Sequence, residues 1–184
     1  MRRFACLRHL ARACLVACGS VRAGRAPRVE WLQAFARGAL GDFELELDNR
    51  TPLHSVNFIR LVKMGYFKER YFYRNVYEIG IQGGGEYFDR LNYLVPAEYR
   101  EELRPVRGSL AMARYDEGNP QKASSPTEFF IITNTEQAAR FYKQYVVFGK
   151  ITKGLSVIDS IQKQRSFDEK PVIPVKFTLS LLKD

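Results

Sequence analysis

The sequence predicts a mainly β domain, a closed antiparallel barrel with short helices at its ends. Three observations carry that expectation. The chain offers many short runs of aromatic and β-branched residues, each bounded by Gly, Pro, Asn or charged clusters. An early strand and the last strand alternate apolar and polar residues cleanly, so each buries one face. Helical patterning is confined to short stretches between the strands, and closing the sheet removes the edges that many short strands leave exposed. With 184 residues, 46% hydrophobic and 13% aromatic, the chain has material for one such core.

Taken in order, residues 29–40 carry Trp31, Leu32 and Phe35 at short helical spacing and are expected to bridge a leader to the domain. Residues 42–47 place Phe43, Leu45 and Leu47 against Glu44 and Glu46, a half-buried strand. Thr51-Pro52 reads as an N-cap with proline at the first helical position, and the helix continues through Val56, Ile59 and Val62 to Gly65. Strands follow at 71–76, 79–82, 109–113, 129–133 and 146–151. The segment 86–105 mixes acids and arginines and is expected to be a solvated loop. Residues 135–142 fit a short helix or turn, and 155–161 a short helix behind Gly154. The closing strand alternates Val175, Phe177, Leu179 and Leu181 with Lys176, Thr178 and Ser180.

Charge and cysteine separate residues 1–28 from the body at 29–184. The first 28 residues hold seven Arg and no acid, whereas the rest sets 22 basic against 20 acidic residues. The formal net charge of +9 is therefore a leader property, and the body has no electrostatic footprint for nucleic acid. Cys6, Cys14 and Cys18 all lie in the leader, so the body has no thiol for a disulfide or a zinc site. Arg2 and Arg3, the apolar run 13–17 and Leu15-Val16-Ala17-Cys18-Gly19 resemble a lipoprotein signal. That reading predicts a lipid anchor on Cys18 and an extracytoplasmic, periplasmic place. An Arg-rich mitochondrial presequence and an unstructured tail or mis-assigned start fit the same residues. No run reaches the roughly 18–20 apolar residues of a transmembrane helix.

Several chemistries are excluded. The histidines are His9 and His54 alone, and His54 lies in the first helix without a sequence neighbour to pair with, so it is expected at the surface or at a cap. The carboxylates mostly flank Lys or Arg and read as solvated faces. Gln82-Gly83-Gly84-Gly85 lacks the Lys-Ser/Thr of a phosphate loop and reads as a tight turn with positive φ. No cofactor and no metal is expected. Arg74, among the aromatics of 71–76, either covers apolar surface with its stem or does chemistry; the residues alone leave both open.

The order of the motifs resembles the cyclophilin family. Gly41-Asp42-Phe43-Glu44-Leu45-Glu46-Leu47, Pro52, Val56-Asn57-Phe58 and Gly65-Tyr66-Phe67 are similar to its opening. Phe72-Tyr73-Arg74 with Ile81-Gln82-Gly83-Gly84-Gly85 is similar to its catalytic strand and turn. Residues 107–113, Glu128-Phe129-Phe130-Ile131 and Val146-Val147-Phe148-Gly149-Lys150 match three further blocks in the right order, so the resemblance spans 41–182. It implies an eight-stranded antiparallel barrel with its active site on the outer face. It also implies a monomeric peptidyl-prolyl cis/trans isomerase that assists folding by acting on proline-containing polypeptides.

By position, Arg74 falls on the catalytic arginine, Gln82 on the glutamine that holds the substrate backbone, and Phe130 on the floor of the proline pocket. Phe72, Ile79, Met112, Ala113, Arg114, Glu128, Phe141 and Tyr145 fall on further substrate-binding positions. Five positions depart from the pattern, one of them Arg140, where some members carry a Trp. Ile79 and Gly80 replace a Phe-Met pair, Glu128 a Gln and Arg114 an Asn. A shallower, less apolar pocket is implied, and a catalytically weak proline-peptide binding module stays open beside the isomerase.

Overall fold

The computed structural model describes residues 33–85 and 91–182. The leader readings, Cys18 included, lie outside the described residues, as do Trp31 and Leu32. Strands β1 (Gln33–Gly38) and β2 (Gly41–Leu47) precede helix α1 (Pro52–Lys63). Then come β3 (Arg70–Val76), β4 (Gly80–Gly84), β5 (Ser109–Met112) and β6 (Glu128–Ile132). Helix α2 (Thr135–Ala138) runs into a 3-10 turn, Ala139–Phe141, before β7 (Val147–Lys153) and helix α3 (Leu155–Gln162). A two-residue-per-strand hairpin, β8 (Ser166–Phe167) and β9 (Lys170–Pro171), leads to β10 (Val175–Leu181). Eight strands close antiparallel in the order β1-β10-β3-β4-β6-β5-β7-β2, as expected.

The expected helical spacing of 29–40 is overturned over residues 33–38. There β1 pairs on one side with β10 and on the other with β2, so the barrel satisfies its backbone groups from both flanks. Ala34 and Ala36 face inward and are fully buried, while Phe35 turns outward beneath the Arg37 guanidinium. Alternation with period two outranks a local helical pattern once two partner strands are available.

The interior is aromatic. Phe43, Phe58, Phe67, Phe72, Phe129, Phe148 and Phe177 are all fully buried. Phe58 and Phe67 each meet Phe129 edge to face, at 5.6 and 5.8 Å between centroids. The C-terminal strand delivers Val175, Phe177 and Leu179 to this core, as its alternation required.

Helix α1 differs from expectation in three ways. Val56 is 57% exposed, because the buried stripe runs through His54, Phe58, Leu61 and Val62. The Thr51 side chain does not cap the helix; its hydroxyl donates to the Asp48 carbonyl. The free N–H groups of Leu53 and His54 instead donate to the carboxylate of Glu98, at 3.1 and 3.0 Å. Glu98 belongs to the segment expected to be solvated, yet it is buried, and Val95 beside it bridges to Ser124.

His54, expected at the surface or at a cap, is fully buried between Glu98 and Ser124. Its Nδ1 lies 2.6 Å from Glu98 Oε2 and its Nε2 lies 3.0 Å from Ser124 Oγ. A carboxylate only accepts, so Nδ1–H donates to Glu98 and Nε2 accepts from the Ser124 hydroxyl. Burial holds the imidazole below its ordinary pKa, against the opposing pull of Glu98, and the ring stays neutral. The order acid–His–Ser is that of a nucleophilic triad. Ser124, however, is 1% exposed, so no substrate reaches it.

Candidate active site

The pocket is built on the outer face of the barrel by strand alternation. Ala111 pairs with Phe130 and Met112 with Phe129. Met112 and Phe129 point inward to the core, while Ala111, Ala113, Phe130 and Ile132 point outward. Ala138 and Val147 complete this second apolar cluster, and Leu103, Phe141 and Tyr145 pack on it. Phe130, Phe141 and Tyr145 form a triangle of rings with centroids 5.2–5.6 Å apart. Short helix α2 and its 3-10 turn place Phe141 there; Asn134 caps α2 by accepting from the Glu136 N–H.

Arg74 reaches the same face through an irregularity. The β3–β4 register shifts between Phe72 and Arg74. Residues two apart on a strand share a face, so without the shift Phe72 and Arg74 would point the same way. With it, Phe72 is 1% exposed in the core and the Arg74 side chain is about half exposed. The opening beside Arg74 has a volume of about 130 Å³, a few times the ~30 Å³ share of one water. Its walls combine Arg74 and Gln82 with Ile79, Ala113, Phe130 and Tyr145.

Eight of the eleven expected site residues therefore meet at one opening: Arg74, Ile79, Gln82, Ala113, Arg114, Phe130, Phe141 and Tyr145. Three do not line it. Phe72 and Met112 are inside the barrel, on the wrong side of the alternation to touch a ligand. Glu128 is 5% exposed and sits against Tyr73.

Gly80 also lines the opening, and it is more than a missing wall. A Cβ there would lie 2.5 Å from the Ile131 carbonyl oxygen, so β6 has closed onto β4 at this point. The turn reading of the glycines holds at Gly84, whose φ is +116°.

A polar chain crosses the pocket edge. Arg74 Nε donates to Glu169 Oε2 at 2.7 Å, and Arg74 Nη1 donates to Gln82 Oε1 at 3.3 Å. Gln82 Nε2 donates to the Tyr73 hydroxyl at 2.8 Å, which fixes the amide with its oxygen towards Arg74. The Tyr73 hydroxyl in turn bonds to Glu128. Burial first, and then the Glu128 charge, push the Tyr73 pKa far above its ordinary value, so Tyr73 remains a donor. On the far side, Arg114 donates Nε to the Gln144 carbonyl, pairs with Asp116 and lies 5.1 Å over the Tyr145 ring. It stiffens one wall.

Against known proteins, residues 34–179 match the family model of the cyclophilin type peptidyl-prolyl cis-trans isomerase/CLD. The chain belongs to that family. Its function is that of a cyclophilin-type peptidyl-prolyl cis-trans isomerase. A peptidyl-prolyl cis-trans isomerase of Acinetobacter baylyi is 37% identical over 130 residues, 66% of this chain and 67% of that protein. Peptidyl-prolyl cis-trans isomerase A of Dickeya dadantii is 33% identical over 140 residues, 71% of each chain. A cyclophilin-type isomerase of Cryptosporidium parvum shares the fold with a TM-score of 0.73 at 24% identity, over 84% of this chain and 99% of that one.

Glu169 and Tyr73 are the residues of this isomerase that sequence reasoning missed. Tyr73 was in view as the neighbour of Arg74, and only the fold aims its hydroxyl at Gln82. Glu169 gave no signal. Its turn, Asp168-Glu169, has no Gly or Asn, and lies 95 residues from Arg74.

Proposed function

We propose that Arg74 is the catalytic group that twists the X-Pro bonds of proline-containing polypeptides, with Phe130 as the floor of the proline pocket. The observation that carries this reading is one half-exposed guanidinium lining the same opening as Phe130, a ring only 9% exposed. Gln82, held through Tyr73, and Tyr145 stand beside it to bond the substrate backbone and to close the pocket.

The reaction needs little else. Partial double-bond character gives the X-Pro bond its barrier, about 18–20 kcal/mol, and uncatalysed exchange takes tens to hundreds of seconds. In the twisted amide the proline nitrogen becomes pyramidal and gains a lone pair. A guanidinium aimed at that nitrogen bonds the twisted form more strongly than the planar one, which is the differential binding that lowers a barrier. Among the described hydrogen bonds, Arg74 uses Nε and Nη1 within the protein, which leaves Nη2 for the substrate. Arginine suits the task because it stays charged at any working pH.

Exchange measurements on a proline peptide, at saturating and limiting substrate, test the assignment. Arg74→Ala is expected to keep the fold and to lower the rate by roughly 10²–10³. Phe130→Ala is expected to weaken peptide binding by about 1–3 kcal/mol instead. Unchanged exchange by Arg74→Ala refutes the role given to Arg74. We also propose that residues 1–28 are a leader that attaches lipid at Cys18; a mature chain beginning at any other residue refutes that.

A further inference from the structure

We propose that Glu169 is a positioning residue for Arg74, delivered to the active site by the β8–β9 hairpin. The inference rests on the role given to Arg74 above. The hairpin has no core of its own: Phe167 is 82% exposed, and Val172 and Ile173 after it are exposed as well. Asp168 and Glu169 at its tip adopt φ of +49° and +60°, a region that residues with a Cβ rarely occupy. A hairpin built only for chain reversal would place Gly or Asn there. Strain of this kind persists where surrounding contacts hold it, and such positions cluster at functional sites.

The holding contacts come from Asn75, the residue after Arg74. Its backbone N–H donates to the Glu169 carbonyl at 2.6 Å. Its buried side chain donates to the Gln162 and Gln164 carbonyls and to Ser166 Oγ. The base of the hairpin is thereby locked to β3, and the Glu169 carboxylate meets Arg74 Nε at 2.7 Å. On its other side the guanidinium meets Gln82, which Tyr73 and Glu128 hold in turn. The fork is thus gripped at two of its nitrogens by groups that are themselves fixed, and the third makes no described hydrogen bond.

A carboxylate beside a catalytic cation has two opposed effects. It orients the guanidinium, which raises the rate, and it screens the charge, which lowers it. Both side chains are nearly half exposed, at 49% and 45%, so water already does much of the screening. Orientation is the effect water cannot supply, because a free arginine side chain spreads over many rotamers. Orientation therefore wins, and by a modest factor, since an exposed pair shifts populations by about fivefold at most.

The test is steady-state isomerisation of a proline tetrapeptide by the full chain and its variants. Glu169→Ala should lower kcat by about three- to fivefold, with KM and Tm little changed. Glu169→Gln, which keeps an acceptor for Nε, should recover most of the loss. In an Arg74→Ala background, Glu169→Ala should have no further effect, because its partner is gone. Unchanged or faster turnover by Glu169→Ala overturns the proposal, as does an equal loss in the Arg74→Ala background. If the wild-type chain accelerates exchange and Arg74→Ala does not impair it, the role of Arg74 falls first and this inference falls with it.

Discussion

Two polar chains in this molecule each end on glutamates, and they differ in how water reaches them. At the start of α1, Ser124, His54 and Glu98 are all buried, and every polar atom of the group faces another or a helix N–H. At the pocket edge, Glu128, Tyr73, Gln82, Arg74 and Glu169 run from a buried carboxylate out to solvent. Both sets orient a titratable group with the same kinds of bond. The closed chain has nothing left to offer a ligand, so it serves to tie the 91–105 segment and α1 to the barrel. The open chain spends two of three guanidinium nitrogens on the protein and leaves Nη2 without a described hydrogen bond. Burial thus separates a closed network from one open to solvent more sharply than residue type does.

Substitutions at the two centres should cross over. Arg74→Ala is expected to take the largest share of rate, roughly 10²–10³, with little change in Tm. His54→Ala is expected to do the reverse. It removes a buried ring and leaves the Glu98 carboxylate and Ser124 hydroxyl without it, at about 2–4 kcal/mol of stability. For a domain of this size that is a fall in Tm of about 5–15 °C by calorimetry, with kcat of the folded fraction unchanged. A His54→Ala chain that keeps its Tm but loses turnover would erase the distinction.

The pH dependence sharpens the same contrast. Burial holds the folded pKa of His54 below its unfolded value, so the unfolded chain binds the proton first as pH falls. Stability from this site is complete above about pH 6.5 and is lost below it, by at most about 1.4 kcal/mol per pH unit. Tm measured from pH 7 to pH 5 should therefore fall, and fall less steeply in His54→Ala. Asp48, whose carboxylate is held below its ordinary pKa by the Arg50 side chain, adds a separate loss only below about pH 4. A flat wild-type profile between pH 7 and 5 would show that His54 does not titrate on unfolding.

Gly80→Ala probes the β4–β6 pairing at the pocket itself. The added methyl meets the Ile131 carbonyl oxygen, so β4 and β6 must part, at about 1–3 kcal/mol by denaturant unfolding. Turnover should fall with it, because the same strands carry Gln82 and Phe130. A fully stable, fully active Gly80→Ala chain would mean that the close approach has no consequence.

The sequence by itself determined the strands whose two faces differ in polarity, β2 and β10 above all, because period-two alternation is written in the residues themselves. It also determined the aromatic supply of the core, and the resemblance in its motifs named most of the residues that line the opening. What it left undecided depends on contacts between distant segments. Whether residues 33–38 are strand or helix is decided by the two strands that flank them. The inward turn of Phe72 and the outward turn of Arg74 come from a register shift against β4, which no alternation count in β3 contains. The burial of His54 is decided by Glu98 and Ser124, which lie 44 and 70 residues away. The grip on Arg74 is decided by a hairpin 95 residues later that has no hydrophobic signal of its own. Local pattern records which face of an element avoids water; only the closed barrel brings a charge to its partner, because that meeting is fixed by strand register and chain return.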